Sequence, residues 1–188
     1  MSWTIEAKVL PIVGLGGHLY LEIFNDKGER ATQINGLSVC RKTNKIISIG
    51  KPGDKLKAYV SNDTILATTS GFNRDNHPHE GHVIYEGTKD EIMDIIQKTK
   101  ELAEEFNSKD FLYQVLSFNS NTVFSAMVHR ISQIVTIDQE AVDKTIALRA
   151  ITPGVKPKLI SKQQSLSQVF NTGKKAQKPK RPPSPPSL

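Results

Sequence analysis

The chain of 188 residues has a single cysteine, few aromatic side chains (6%) and no apolar run near the roughly 20 residues that a membrane-spanning helix needs. Because Cys40 is the only thiol, an internal disulfide and a cysteine-based zinc cluster are both excluded. Residues 1–17 lack a basic leader and carry Glu6 and Lys8 within their apolar stretch, which does not fit a secretory signal peptide. We therefore expect a cytoplasmic protein, or one that is exported without a Sec-type signal.

The net charge of +6 is unevenly distributed along the chain. Residues 173–188 contain five basic side chains and no acidic one, so residues 1–172 are close to neutral. A near-neutral body with few aromatic residues is a poor surface for phosphates or for stacking bases. Nucleic acid is therefore not the expected partner.

The same C-terminal segment contains half of the ten prolines. It is too poor in apolar residues to offset its ordering entropy, so we predict one domain over residues 1–162 and a disordered, basic, proline-rich tail over 163–188. Lys180, Pro183 and Pro186 have the spacing of a basic residue followed by a PxxP ligand, which would suit a protein partner with a polyproline-binding groove. The main interpretation of this segment is nevertheless a solvated tail, and contact with an anionic membrane or an address signal are further alternatives.

The hydrophobic periodicity changes near Thr88. Before it, alternation of apolar and polar residues predicts short strands, with a hairpin turn at residues 25–28. After it, helical spacing begins with a capping box formed by Thr88 and Glu91. Strands followed by helices predict an α+β fold in which helices are segregated from an antiparallel sheet. The strands are predicted near 3–10, 18–24, 45–49, 55–60, 64–69 and 81–86, and the helices over 88–106, 120–132 and 138–149.

Common catalytic and cofactor motifs are missing: the sequence has no GxGxxG before a helix, no GxxxxGK[ST], no HExxH and no GxSxG. His77, His79 and His82 could place several imidazoles around one metal ion, together with Asp75 and Glu80. Metal spacings in loops are loosely defined, and the neighbouring proline and glycine favour an exposed turn. We therefore expect neither a metal nor a cofactor.

The start of the second predicted helix is the strongest candidate for chemistry. Four small polar residues, 119–122, precede an apolar helix, so a hydroxyl there would lie beside backbone amides that stabilise negative charge. His18 opens a strand next to three glycines and could accept the proton of such a hydroxyl. The competing interpretation is structural, because Asn, Ser and Thr are also the preferred helix N-caps.

The order GHLYLEIF, INGL and FNSNTVFSAMV resembles the circularly permuted papain-like superfamily, which includes NlpC-type cell-wall peptidases and lecithin:retinol acyltransferase-like enzymes. The resemblance covers about residues 15–155 and implies a papain-like fold. In that superfamily a strand histidine is the base and a helix N-terminal cysteine is the nucleophile. His18 matches the histidine, and Ser120, preceded by Asn119, stands where the cysteine would be.

The resemblance implies an acyl hydrolase or acyltransferase that acts on an amide or ester of a peptide, peptidoglycan or lipid, in a bacterial effector or toxin-like setting. Serine is a far weaker acid than cysteine, so its base must be well oriented by a third group. Glu22, Asn35 and His82 are the candidates for this third group, and His82 is included among the candidate catalytic residues. The alternative is a catalytically inactive binding module that recruits partners through its tail. Cys40 has no helix after it and is interpreted as an incidental thiol.

Overall fold

A computed structural model describes residues 2–12, 16–47, 50–62, 80–114 and 119–150. In these residues six strands precede three helices, which confirms the α+β class predicted from the sequence. The strands are β1 Trp3–Ile12, β2 Gly16–Phe24, β3 Arg30–Val39, β4 Ile46–Ile47, β5 Lys55–Ser61 and β6 Glu80–Gly87. The helices are α1 Lys89–Ser108, α2 Ser120–Ser132 and α3 Gln139–Ala150.

All paired strands are antiparallel and form one open sheet with the order β4-β3-β2-β1-β6, in which β5 also pairs with β3. The β2–β3 hairpin turns at residues 25–28, as predicted. The Gly28 amide donates to the Asn25 carbonyl, and Gly28 has a φ of 76°, a left-handed conformation that glycine adopts without strain.

One face of the sheet packs against the three helices. Alternate residues of the strands, among them Ile5, Leu21 and Ile34, are buried with apolar residues of the helices such as Ile95 and Val123 in a single core. The helix α1 begins at the predicted capping box, in which the Thr88 hydroxyl accepts from the Glu91 amide. The fold therefore follows the predicted apolar faces.

The opposite face of the sheet carries a smaller apolar cluster of Leu10, Tyr20 and Leu37. Beside it lie polar side chains that are also buried: Glu22 is 2% exposed and Gln33 is 1% exposed. Such side chains need hydrogen-bonding partners, and Gln33 Nε2 donates to Glu22 Oε1 over 3.0 Å. This polar face also contains His18 and Asn35 of the candidate site.

The main error of the sequence analysis is β3, for which no strand was predicted although it lies at the centre of the pairing. Its sequence RATQINGLSV lacks strict alternation, because most of the strand is buried on both faces. The other predicted strands within the described residues are present, as are all three helices. The predicted strand at 64–69, the residues His77 and His79, and the tail at 163–188 lie outside the described residues.

Candidate active site

The candidate site lies where β2 and β3 separate. The two strands pair from Phe24 and Arg30 to Leu21 and Ile34, where their pairing ends. Beyond that point β3 continues to pair with β5 on its other edge, and it meets β4 only at Ser38. On this side, residues 35–37 of β3 pair with no strand of the described residues, which leaves a gap between them and β2.

The helix α2 enters this gap through Asn121. Its Oδ1 accepts from the Leu19 amide over 2.9 Å, and its Nδ2 donates to the Gly17 carbonyl over 3.2 Å. A single side chain thus supplies both hydrogen bonds that a neighbouring strand would make to β2. Because the two backbone groups flank His18, this contact fixes the start of α2 next to the histidine.

A second contact holds α2 against β3 at Gly36. A Cβ atom at this position would lie 2.6 Å from Val123 Cβ and 2.7 Å from the Ser120 carbonyl oxygen. Only a residue without a side chain allows the helix to approach so closely. Gly36 is the glycine of the INGL segment, so that segment both carries a polar side chain and admits the helix.

His18 forms a buried pair with Asn35. The imidazole Nε2–H donates to Asn35 Oδ1 over 3.1 Å, and the two residues are 3% and 1% exposed. Since a carbonyl oxygen can only accept, this contact selects the tautomer that is protonated at Nε2, and Nδ1 is then the basic nitrogen of the neutral ring. The Nδ2 group of Asn35 is buried and has no hydrogen-bond partner within the described residues.

The pleat of β2 determines the side on which the imidazole lies. His18 and Tyr20 share one face, with ring centroids 6.0 Å apart, while Leu19 shares the helix-covered face with Leu21. Asn35 lies on the same face as His18, whereas Gly36 faces α2. The hydrogen-bonded His18 and Asn35 therefore lie on the sheet face opposite the body of α2. Only the start of the helix reaches the gap between β2 and β3.

Asn119 and Ser120 form the start of α2 as the N-cap and the first helical residue. The Asn119 side chain accepts from the amide of Thr122 and also from that of Asn121 over 3.0 Å, while the Thr122 hydroxyl accepts from the Asn119 amide over 3.2 Å. This reciprocal pair is a capping box, so the predicted capping role is present at Asn119. Ser120 is half-buried, and its carbonyl oxygen faces Gly36.

Among the three residues that the sequence analysis considered for orienting His18, only one has a hydrogen bond to it among the contacts of the described residues. Asn35 contacts the histidine directly, whereas Glu22 is held by Gln33 and lies near Lys8, 3.9 Å away. His82 lies on β6, two strands from β2, and its Nδ1 lies 3.0 Å from the hydroxyl of Thr145 in α3. The structure thus brings together His18, Asn35 and the start of α2, and it gives His82 a separate partner.

Cys40 follows the end of β3 and lies in an exposed turn. Hydrogen bonds from the side chain and backbone of Thr43 lower the pKa of the thiol below its ordinary value. The turn is about 17 Å along the strand from Asn35, because each strand residue advances the chain by about 3.3 Å. Cys40 is therefore distant from His18 and Asn35.

The described residues contain no group of three potential metal-ligating side chains, and no helix among them has the length and apolar character required to cross a membrane. Comparisons of the chain with protein-family models, with curated proteins and with solved structures find no match.

Proposed function

We propose that this chain is a papain-like acyl hydrolase or acyltransferase in which His18 is the base, Asn35 orients it and Ser120 is the nucleophile. The observation that carries the proposal is the buried hydrogen bond from His18 to Asn35 next to the docked start of α2. A base, a group that orients it and a helix N-terminus are the three parts that acyl transfer by a hydroxyl requires.

In the proposed reaction the Ser120 oxygen attacks the carbonyl carbon of an ester or amide while its proton moves to Nδ1 of His18. The imidazolium is stabilised by Asn35, which accepts from Nε2–H. Backbone amides at the start of α2 stabilise the oxyanion. When the tetrahedral intermediate collapses, the leaving alcohol or amine takes the proton from His18. Water or an acceptor substrate then attacks the acyl-serine and releases the acyl group.

The proposed substrates are those that the family resemblance implies, namely an amide or ester in a peptide, peptidoglycan or lipid. A serine hydroxyl must be deprotonated during its attack, since its pKa is far above that of a thiol. The oriented histidine is therefore more important here than it would be beside a cysteine. Loss of Asn35 is expected to lower kcat and leave KM nearly unchanged, because Asn35 acts through His18 and not on the substrate.

The first experiment measures labelling of the full chain by a fluorophosphonate probe and hydrolysis of short-chain aryl esters. We expect labelling of the wild type and none of Ser120→Ala or His18→Ala, with labelling retained in the control Ser125→Ala, one turn further along α2. Thermal unfolding of each variant shows whether it is folded. A folded wild type that neither reacts with the probe nor hydrolyses esters would contradict the proposal.

A second experiment tests the geometry without requiring a natural substrate. In a Cys40→Ser background, Ser120→Cys places a thiol where the proposed nucleophile lies. If His18 is close, the thiolate forms below the usual pKa near 8.5, and alkylation by iodoacetamide at pH 6 is faster than for Ser125→Cys. The added change His18→Ala should remove this advantage. Equal alkylation rates at the two positions would show that the imidazole does not act on residue 120.

The second candidate function is a catalytically inactive binding module with the same fold. The placement of His18 and α2 on opposite faces of β2 favours it, as does serine in the place of cysteine. This module would bind an acyl-containing ligand or a protein partner without turnover. It predicts no probe labelling in any variant and ordinary alkylation of Ser120→Cys, so the two experiments above distinguish it from the enzyme.

A further inference from the structure

A cluster of cations lies at the end of β3, away from the candidate active site. Arg41, Lys42 and Lys45 are exposed in the turn between β3 and β4, and Lys51 is exposed in the next turn. None of the four makes an ion pair with an acidic side chain of the described residues, whereas Lys55 pairs with Asp110 over 2.9 Å. Because these four residues lie in two neighbouring turns, we call them together the basic turn pair.

The two turns are held together by Asp54, which is only 9% exposed. Its carboxylate accepts from the Arg41 amide over 3.2 Å and from the Lys51 amide over 2.8 Å. The acidic group nearest the cluster is therefore engaged by backbone amides. The turn between β3 and β4 is also closed by a backbone hydrogen bond, in which the Cys40 amide donates to the Lys45 carbonyl over 2.9 Å. The cations consequently project from turns whose backbones are fixed.

An apolar side chain lies beside this charge. Leu112 forms an isolated antiparallel β-bridge with Lys55, and its side chain is 42% exposed. The adjoining Tyr113 amide donates to the Asp54 carbonyl over 2.7 Å, so the leucine is connected to the residue that ties the turns. Leu112 is thus connected through Asp54 to both basic turns, and the exposed Asp110, two residues before it, is paired with Lys55 and Lys57.

We infer that the basic turn pair, together with Leu112, binds an anionic lipid membrane. Clusters of basic residues gain roughly 1 kcal/mol per Lys or Arg at such a surface, and an apolar side chain adds to binding by entering the interface. Nucleic acid fits less well, because the exposed large hydrophobic side chains of the described residues include no aromatic ring for stacking a base. The inference does not depend on the proposed enzymatic function.

The test measures sedimentation of the full chain with vesicles of phosphatidylcholine alone and of an equimolar mixture of phosphatidylcholine and phosphatidylglycerol. We expect binding only to the anionic vesicles and weaker binding at high salt, because ions screen exposed charge. The variant in which all four residues of the basic turn pair become alanine should bind at least about tenfold more weakly than the wild type. The variant Leu112→Ser should also bind more weakly at unchanged net charge.

The control variant replaces four exposed lysines elsewhere by alanine and so has the same net charge: Lys27, Lys89, Lys100 and Lys144. It should retain the binding of the wild type. If it loses as much binding as the basic turn pair variant, or if neutralising the basic residues of 173–188 alone abolishes binding, the inference is wrong. Binding of duplex DNA that is as tight as vesicle binding and unaffected by Leu112→Ser would also overturn it, in favour of a nucleic-acid surface.

Discussion

Replacing Asn121 by alanine removes the contact that joins α2 to β2. The Leu19 amide and the Gly17 carbonyl both lose their partner, and both residues are buried. An unsatisfied buried polar group costs about 1 to 3 kcal/mol, and the higher helix propensity of alanine offsets about 0.5 kcal/mol. With two such groups, we therefore expect Asn121→Ala to lower the free energy of unfolding by roughly 1.5 to 5.5 kcal/mol.

Urea unfolding followed by the fluorescence of Trp3, the only tryptophan, measures this change. For a chain of this length the same loss lowers the Tm by roughly 3 to 20 °C. Amide hydrogen exchange provides a local measurement, because the Leu19 amide should lose its protection in the variant. Asn119→Ala, which removes the N-cap alone, should cost only about 1 kcal/mol, and Ser125→Ala should be nearly neutral.

The reasoning would be refuted by an Asn121→Ala protein in which the Leu19 amide is still protected and the free energy of unfolding falls no further than in Asn119→Ala. That outcome would mean that packing of α2 on β3, and not the asparagine, fixes the start of the helix.

Three further predictions concern the sheet and its ion pairs. Gly36→Ala forces a methyl group against Val123 and should lower stability by about 1 to 3 kcal/mol in urea unfolding, and an unchanged midpoint would contradict the close contact. Glu22→Ala removes a buried carboxylate that accepts from Gln33 and lies near Lys8 and Arg30, so a loss of about 3 kcal/mol is expected and a neutral effect would argue against these contacts. Hydrogen bonds from two lysines lower the pKa of Asp110, so its stabilisation is complete above the ordinary Asp pKa and is lost as pH falls through the lowered value. Asp110→Asn should therefore be less stable than wild type at neutral pH, with the difference vanishing in acid, and a difference independent of pH would refute this assignment.

The amino-acid pattern predicted much of the local structure because local structure depends on neighbours in sequence. The capping box at Thr88 and the start of α2 after Asn119 follow from residues three positions apart. The alternation of apolar and polar residues predicted the strands β1 and β2, whose apolar residues pack in the core with the helices. The strand β3 was missed, because a strand that is buried on both faces lacks the alternation by which strands are recognised.

The candidate site could be predicted only in part. The sequence identified His18, named Asn35 among three groups that could orient it, and indicated the helix start at residues 119–122. It could not choose Asn35 over Glu22 or His82, since that choice depends on where β2 and β3 separate. Nor could it identify Asn121 as the residue that fills the resulting gap, because its hydrogen-bond partners lie more than 100 positions away.

The sequence by itself determined the α+β class, the helix boundaries and the residues with suitable chemistry, because periodicity and capping are properties of short segments. Tertiary structure alone decided that Asn35 is hydrogen-bonded to His18, and it placed the imidazole on the sheet face opposite the body of α2. The physical reason is that strand pairing and helix docking depend on backbone groups and packing surfaces from distant parts of the chain, whose partners no local pattern specifies.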